Sequence, residues 1–188
     1  MIKAFIFDFF GVLFTDSFDD VYRHFGGDPV KDKALIEEAF DFSHKGKIER
    51  SSEVFSKHLG VEIKEWERAI DSERVLDERL FEYIGHLRET HKTAVLSNIG
   101  ERGLAAYIDI DYFSKNFDAL VESSKVGHAK PDKVAYFYTA EKLGVQPEEC
   151  IFIDDRQRYI DGAQAAGMQT ILYKNFEQFK KDVERVLA

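Results

Sequence analysis

Asp8 stands where a carboxylate is costly, between Phe5-Ile6-Phe7 and Phe9-Phe10. A charge among apolar neighbours needs an ion-pair partner, a hydrogen-bond donor or a cation. A second acidic position, Asp154-Asp155, ends the apolar run Cys150-Ile151-Phe152-Ile153. Adjacent carboxylates raise each other's pKa unless a cation lies between them. A hard cation with oxygen ligands answers this, and magnesium fits because it takes few protein carboxylates and leaves room for a phosphate. Lys130, in Gly127-His128-Ala129-Lys130-Pro131-Asp132, lies just ahead of a helix start. An ammonium there, helped by the helix N-terminus, can neutralise a phosphoryl group. A lone aspartate is often a helix cap and a lone lysine is usually solvated, so the weight falls on the setting. A further run, Thr93–Leu96, ends at Ser97-Asn98, so polar side chains collect at the ends of apolar segments.

The elements that must position them alternate. Short apolar runs at Ala4–Phe7, Thr93–Leu96, Ala119–Val121, Ile151–Ile153 and Gln169–Leu172 read as strands, and most are separated by amphipathic stretches. Asp77 can cap a helix presenting Leu80, Phe81, Ile84 and Leu87 on one face. Pro131 occupies a first-helical-residue position, with Val134, Phe137 and Tyr138 following and Gly144 as a stop. Phe176, Phe179, Val183 and Val186 mark a last helix. This alternation predicts an α/β fold, a doubly wound, Rossmann-like parallel sheet with helices on both faces, which binds ligands at the carboxyl ends of its strands. Between Asp16 and Leu76 the rhythm breaks. Phe18, Val21, Tyr22 and Phe25, then Leu35, Ile36 and Phe40, then Val54, Phe55 and Leu59 have helical spacing, and Ser51 or Ser52 can cap the third group. We expect a core formed by residues 1–15 and 77–188, with a small helical cap inserted over residues 16–76.

Composition narrows the function. A net charge of −9 and a pI near 5.2 argue against non-specific nucleic-acid binding. The N-terminal apolar run is interrupted by Asp8 and Gly11, with no cleavage signal after it, and no stretch reaches membrane-spanning length. The single cysteine, Cys150, opens an apolar run and reads as a buried small side chain; it forms no internal disulfide. The expectation is a cytoplasmic protein with no membrane or nucleic-acid partner; a small phosphorylated metabolite stays open as a partner, because a metal and one lysine can reverse the local sign.

FIFDFFGVLF resembles the first motif of the haloacid dehalogenase-like superfamily, TAVLSNIG the second, GHAKPD the third and CIFIDDRQRYIDGAQAAGMQTIL the fourth. Their order and spacing match from residue 2 to about 173. The helical insert is similar to the small cap many members carry between the first two motifs. The resemblance implies a magnesium-dependent phosphatase in which Asp8 attacks phosphorus and forms an aspartyl-phosphate. It implies metal ligation by Asp8, Asp155, Asp154 through water, and the backbone carbonyl of Phe10. It assigns the transferring oxygens to Ser97, the Asn98 backbone and Lys130.

Two departures bear on this. The phosphatase members usually carry a second aspartate two residues after the nucleophile, as proton donor and later as base; here that residue is Phe10. Tyr159 stands where many members have asparagine or aspartate supporting the metal site. An aromatic residue at the Phe10 position resembles true 2-haloacid dehalogenases, but these work without magnesium and do not usually carry the acidic pair. A catalytically impaired binding or regulatory protein on the same scaffold is the third reading. In the insert, Arg23, His24, His44, Lys45 and Lys47 are candidates to face the site, with solvated surface the commoner fate of each; Trp66, at helical spacing from Ile70, reads as cap core, and His128 as a loop histidine.

Overall fold

A computed structural model of the chain describes residues 1–44, 51–100 and 102–187, with side chains described at all of these except 42–44. Five strands, β1 (Ala4–Phe7), β2 (Lys92–Ser97), β3 (Ala119–Glu122), β4 (Cys150–Asp154) and β5 (Gln169–Leu172), form one sheet in the order β3-β2-β1-β4-β5. Every pairing is parallel. The chain therefore winds outward from β1 in both directions, and β1 lies at the switch point of a doubly wound sheet.

Both faces of the sheet are covered, which is why the central strands read as continuous apolar runs instead of alternating ones. Phe5, Phe7, Val95, Ile151 and Ile153 pack into one core with Leu80, Phe81, Ile84, Phe179 and Val183. Ala4, Ile6, Ala94, Leu96, Cys150 and Phe152 pack into the other with Ala135, Tyr136, Ile160 and Ala163. The period-2 alternation of strand side chains sends neighbours to opposite cores.

Four helices follow β1: α1 (Phe18–His24), α2 (Lys33–His44), α3 (Ser51–Leu59) and α4 (Ile63–Ser72). They surround a third cluster built on Val21, Tyr22, Ala39, Phe55 and Trp66. The two chain segments joining these helices to the sheet are tied together. Thr15 N–H donates to Val75 C=O at 3.0 Å, the Thr15 hydroxyl donates to Glu73 C=O at 2.7 Å and accepts from Val75 N–H at 2.9 Å, and Asp77 N–H donates to Leu13 C=O at 2.9 Å. The remaining helices are α5 (Glu78–Arg88), α6 (Ile110–Phe113), α7 (Ser123–Val126), α8 (Lys133–Leu143), α9 (Gln157–Ala165) and α10 (Phe176–Leu187), with 3₁₀ turns at Leu104–Ala106 and Pro147–Glu149. No helix of the described residues is long and apolar enough to cross a membrane.

The expected cap and inward face of α5 are present: Asp77 accepts from Arg79 N–H and Leu80 N–H, and Leu80, Phe81, Ile84 and Leu87 are buried. α8 differs from expectation. Asp132, not the residue before Pro131, caps it, accepting from Val134 N–H at 3.0 Å. Asp132 N–H closes a turn on Ala129 C=O at 2.9 Å, which keeps Lys130-Pro131 outside the helix. Its inward face carries Ala135, Tyr136, Thr139, Ala140 and Leu143, while Val134 and Phe137 are exposed. The expected cap of α3 falls at the edge of the described residues; Ser51 and Ser52 lie within the helix.

Candidate active site

The carboxyl ends of β1, β2 and β4 converge. Asp8 follows β1, Ser97 ends β2 and Asp154 ends β4. The loop before α8 brings Lys130 beneath them. Its Nζ lies 2.7 Å from Asp8 Oδ1 and 2.7 Å from Asp154 Oδ2, and its side chain is fully buried. The ammonium also sits 5.3 Å from the centre of the Phe152 ring and 4.9 Å from that of Tyr159. One cation between two carboxylates and two aromatic faces is the arrangement that lets a lysine stay charged out of water. Burial works against the ammonium, yet Asp154 and Asp8 outweigh it and hold its pKa above the ordinary value.

Asp8 pays most for its position. Burial first, then repulsion from Asp154, push its pKa up to about 7, against the pull of Lys130 and of Phe9 N–H. Oδ1 takes both of those donors, the Phe9 N–H at 2.6 Å. Asp154 spends both oxygens, Oδ2 on Lys130 and Oδ1 on Arg156 N–H at 2.9 Å. Asp155 is raised by burial and then by Asp8, and its Oδ1 is buried without a partner among the described residues.

Asp8, Asp154 and Asp155 each offer an oxygen, and these atoms lie within 4.8 Å of one another. The orphaned Asp155 oxygen and the raised pKa values of Asp8 and Asp155 are what a divalent cation would relieve, so the donor set fits magnesium. Gly11 makes room for the Asp155 carboxylate: with φ at +85°, a Cβ there would meet that group at 2.5 Å. The Phe9–Phe14 turn that carries this glycine bonds Phe14 N–H to Phe9 C=O and Gly11 N–H to Phe14 C=O, and the Phe10 carbonyl enters neither bond.

The residues that the resemblance assigns to the transferring oxygens are close by. Ser97 is 1% exposed and its hydroxyl has no partner among the described residues. Asn98 forms a reciprocal pair with the Lys130 peptide unit, its Nδ2 donating to Lys130 C=O at 2.9 Å and its Oδ1 accepting from Lys130 N–H at 2.8 Å. The sequence had suggested only the Asn98 backbone; its side chain fixes the lysine loop. Tyr159, at the position where many members have an asparagine or aspartate, faces Lys130, and its hydroxyl accepts from Asn98 Nδ2 at 3.4 Å.

Asp8, Phe10, Asn98, Lys130 and Tyr159 line one cavity of about 580 Å³ that reaches the helical insert at Phe18, Phe40, Phe55 and Trp66. Arg74 and Tyr107 also line it, and spacing gave no signal for either. Arg156 donates to Asp16 at 2.5 Å, joining the strand-end cluster to the segment leading into α1. Of the insert's basic candidates, Arg23 pairs with Asp19 and Asp20 at 3.4 Å and His24 is exposed; neither lines the cavity. Lys45, Lys47 and the His44 side chain lie outside the described residues. His128 pairs with Asp132 at 2.7 Å in its loop. Trp66 is 2% exposed, and Cys150 is buried with its thiol pushed up to about 12 by burial.

Comparison with known proteins places this geometry. A phosphatase of Mycobacterium tuberculosis is 39% identical over 71 residues, 38% of this chain and 33% of its own length, so the chain matches a third of that relative. An enzyme of Bacteroides thetaiotaomicron, solved with magnesium and inorganic phosphate, superposes with a TM-score of 0.74 at 21% identity over 95% of this chain and 99% of its own. The L-2-haloacid dehalogenase of Xanthobacter autotrophicus superposes with a TM-score of 0.68 at 21% identity, over 98% and 83%. Both likenesses show the shared fold. The family model for haloacid dehalogenase-like hydrolases matches residues 2–167, and the chain belongs to that family.

Proposed function

We propose that this protein is a magnesium-dependent phosphatase of a small phosphorylated metabolite, with Asp8 as nucleophile and residues 16–76 as a cap over the site. The observation that carries it is the meeting of Asp8, Asp154 and Asp155 oxygens within 4.8 Å, with Lys130 buried against two of them and with Asp8 and Lys130 lining the cavity. A relative named as a phosphatase and a neighbour solved with magnesium and phosphate support the same reading.

Asp8, Asp154, Asp155 and the Phe10 carbonyl would hold the ion. When bound, magnesium offsets the negative charge of the carboxylates and of the phosphoryl oxygens. Lys130 and Phe9 N–H hold Asp8 through Oδ1, leaving Oδ2 for attack. An Asp8–phosphorus bond forms as the bond to the leaving oxygen breaks, and that oxygen departs with the electron pair. The Ser97 hydroxyl, buried and without a partner among the described residues, donates to a phosphoryl oxygen. Asn98 keeps the Lys130 loop in register. Water then attacks phosphorus as the bond to Asp8 breaks, Asp8 leaves as carboxylate, and the proton of the water is carried off on the released phosphate.

Phe10 can neither protonate the leaving group nor activate that water. The loss for each such proton transfer is about 10²–10⁴-fold, so acyl, aryl or anomeric phosphates, with good leaving groups, are the favoured class. The Phe10 ring in the cavity also suits dehalogenation, where halide needs no proton; the three-carboxylate cluster weighs against it.

Hydrolysis of p-nitrophenyl phosphate with and without magnesium, beside Asp8→Asn, tests the proposal. Turnover that requires both supports it. Absent turnover, with chloride released from a 2-haloacid in metal-free buffer, establishes the dehalogenase reading instead.

A further inference from the structure

Arg74 follows α4 on the segment returning to the sheet, and it is held in an unusual way. Its guanidinium carbon lies 4.6 Å from the centre of the Phe10 ring and 4.2 Å from that of Tyr107, two rings that meet edge to face at 5.6 Å. Nη1 donates to Asp71 Oδ1 at 2.5 Å. Among the described residues Nε and Nη2 have no hydrogen-bond partner. The side chain is 16% exposed, and it lines the cavity that holds Asp8 and Lys130.

Arginine has five N–H donors in a planar fork that matches an oxyanion's two oxygens. Asp71 accounts for one corner of the fork. The aromatic faces hold the plane in place and exclude water from it, so little side-chain freedom remains to be lost on binding. Phe10 matters twice here. A carboxylate at that position could pair with Arg74 and close the fork; a phenyl ring supports the guanidinium and leaves its remaining donors open.

We propose that Arg74, laid on Phe10 and Tyr107, is a specificity-determining residue that binds a second oxyanion of the substrate, a carboxylate or second phosphate on the part that leaves. The inference rests on the phosphatase reading of the Asp8 site and names its substrate class: a phosphorylated compound that is anionic at both ends.

Phosphonates test it without turnover. Calorimetry with magnesium present compares alkylphosphonates with ω-phosphonocarboxylates and α,ω-bisphosphonates of the same carbon chain, two to four carbons long, on the wild type, Arg74→Met and Arg74→Lys. A charge-assisted fork is expected to make one of the two doubly anionic series about tenfold to a hundredfold tighter than its alkyl counterpart in the wild type. Whichever series gains identifies the second group as carboxylate or phosphate. The ratio, read within each protein so that a loss of folded fraction cancels, falls to within about threefold of unity in Arg74→Met and to an intermediate value in Arg74→Lys, which keeps the charge but not the fork. Alkylphosphonates that bind with no gain from a second anion at any length overturn the inference and leave the phosphate site standing. A gain that survives Arg74→Met overturns it as well. If no phosphonate binds, the phosphatase reading falls and takes this inference with it.

Discussion

Lys130→Met removes the cation on which two buried carboxylates depend while keeping much of the side-chain volume. Lys130 Nζ touches Asp8 and Asp154 at 2.7 Å each, and neither the lysine nor Asp154 is exposed. Removing one member of a buried ion pair costs about 3–5 kcal/mol, because the remaining charge stays desolvated and unpaired. For a chain of this size that is roughly 6–20 °C in Tm, at about 2–4 °C per kcal/mol. The deficit depends on pH with a definite sign. Asp8 already has a folded pKa raised to about 7. Its contribution to stability is therefore fully present below the unfolded carboxylate value and is lost as pH rises through the folded one. Without Lys130 the folded pKa rises further, so the variant goes on losing stability above pH 7, where the wild type has levelled off. Urea unfolding followed by circular dichroism at several pH values measures this, with the fluorescence of Trp66, the single tryptophan, reporting the helical insert. On the proposed metal reading, magnesium is expected to narrow the gap by supplying the missing positive charge; an ion at a hundred times its Kd adds about 2.7 kcal/mol to a protein that binds it only when folded. A deficit below about 1 kcal/mol at pH 8, or one of the same size at pH 5 and pH 8, refutes the buried ion triad as described.

Three further outcomes follow from the same geometry. Gly11→Ala places a Cβ against the Asp155 carboxylate at a backbone φ of +85°, so we expect magnesium affinity, read as the metal-induced shift in Tm, to fall by at least about tenfold. Phe10→Asp restores a proton donor and should accelerate alkyl phosphate hydrolysis far more than that of p-nitrophenyl phosphate. The gain should lie at the low end of the usual range of about 10²–10⁴-fold, because Arg74 beside it favours the ionised carboxylate; equal acceleration of both esters would argue against a missing acid. Trp66→Ala empties the centre of the insert's aromatic cluster and should destabilise those helices by about 3–5 kcal/mol, seen as faster amide exchange in α1, α3 and α4 than in the sheet.

Several features were legible because they are local. All five strands lie where the apolar runs place them; in the central strands β1 and β4, burial on both faces leaves no polar position until the strand end. Asp77 caps its helix through its own side chain and the next backbone amides, a contact that sequence distance alone decides. Asp8, Asp154 and Asp155 stood out because acidic residues beside such runs demand compensation. The start of α8 was misread for the same local reason: a proline suits a first helical turn, but the Asp132 side chain and the Ala129 turn held the competing arrangement.

What the sequence by itself determined is thus the parallel α/β order, the family resemblance and the residues at the strand ends, because each rests on periodicity or on a motif read along the chain. Only the tertiary structure decided their pairing: that Lys130 bridges Asp8 and Asp154, that the Asn98 side chain grips the lysine loop, and that Tyr159 lends its ring to the ammonium. Arg74, Phe10 and Tyr107 meet from three separate segments, 64 residues and 33 residues apart along the chain. No periodicity encodes such a contact, because it depends on how the insert's return segment lies across the end of the sheet, and that is set by packing between elements and not by propensity within one.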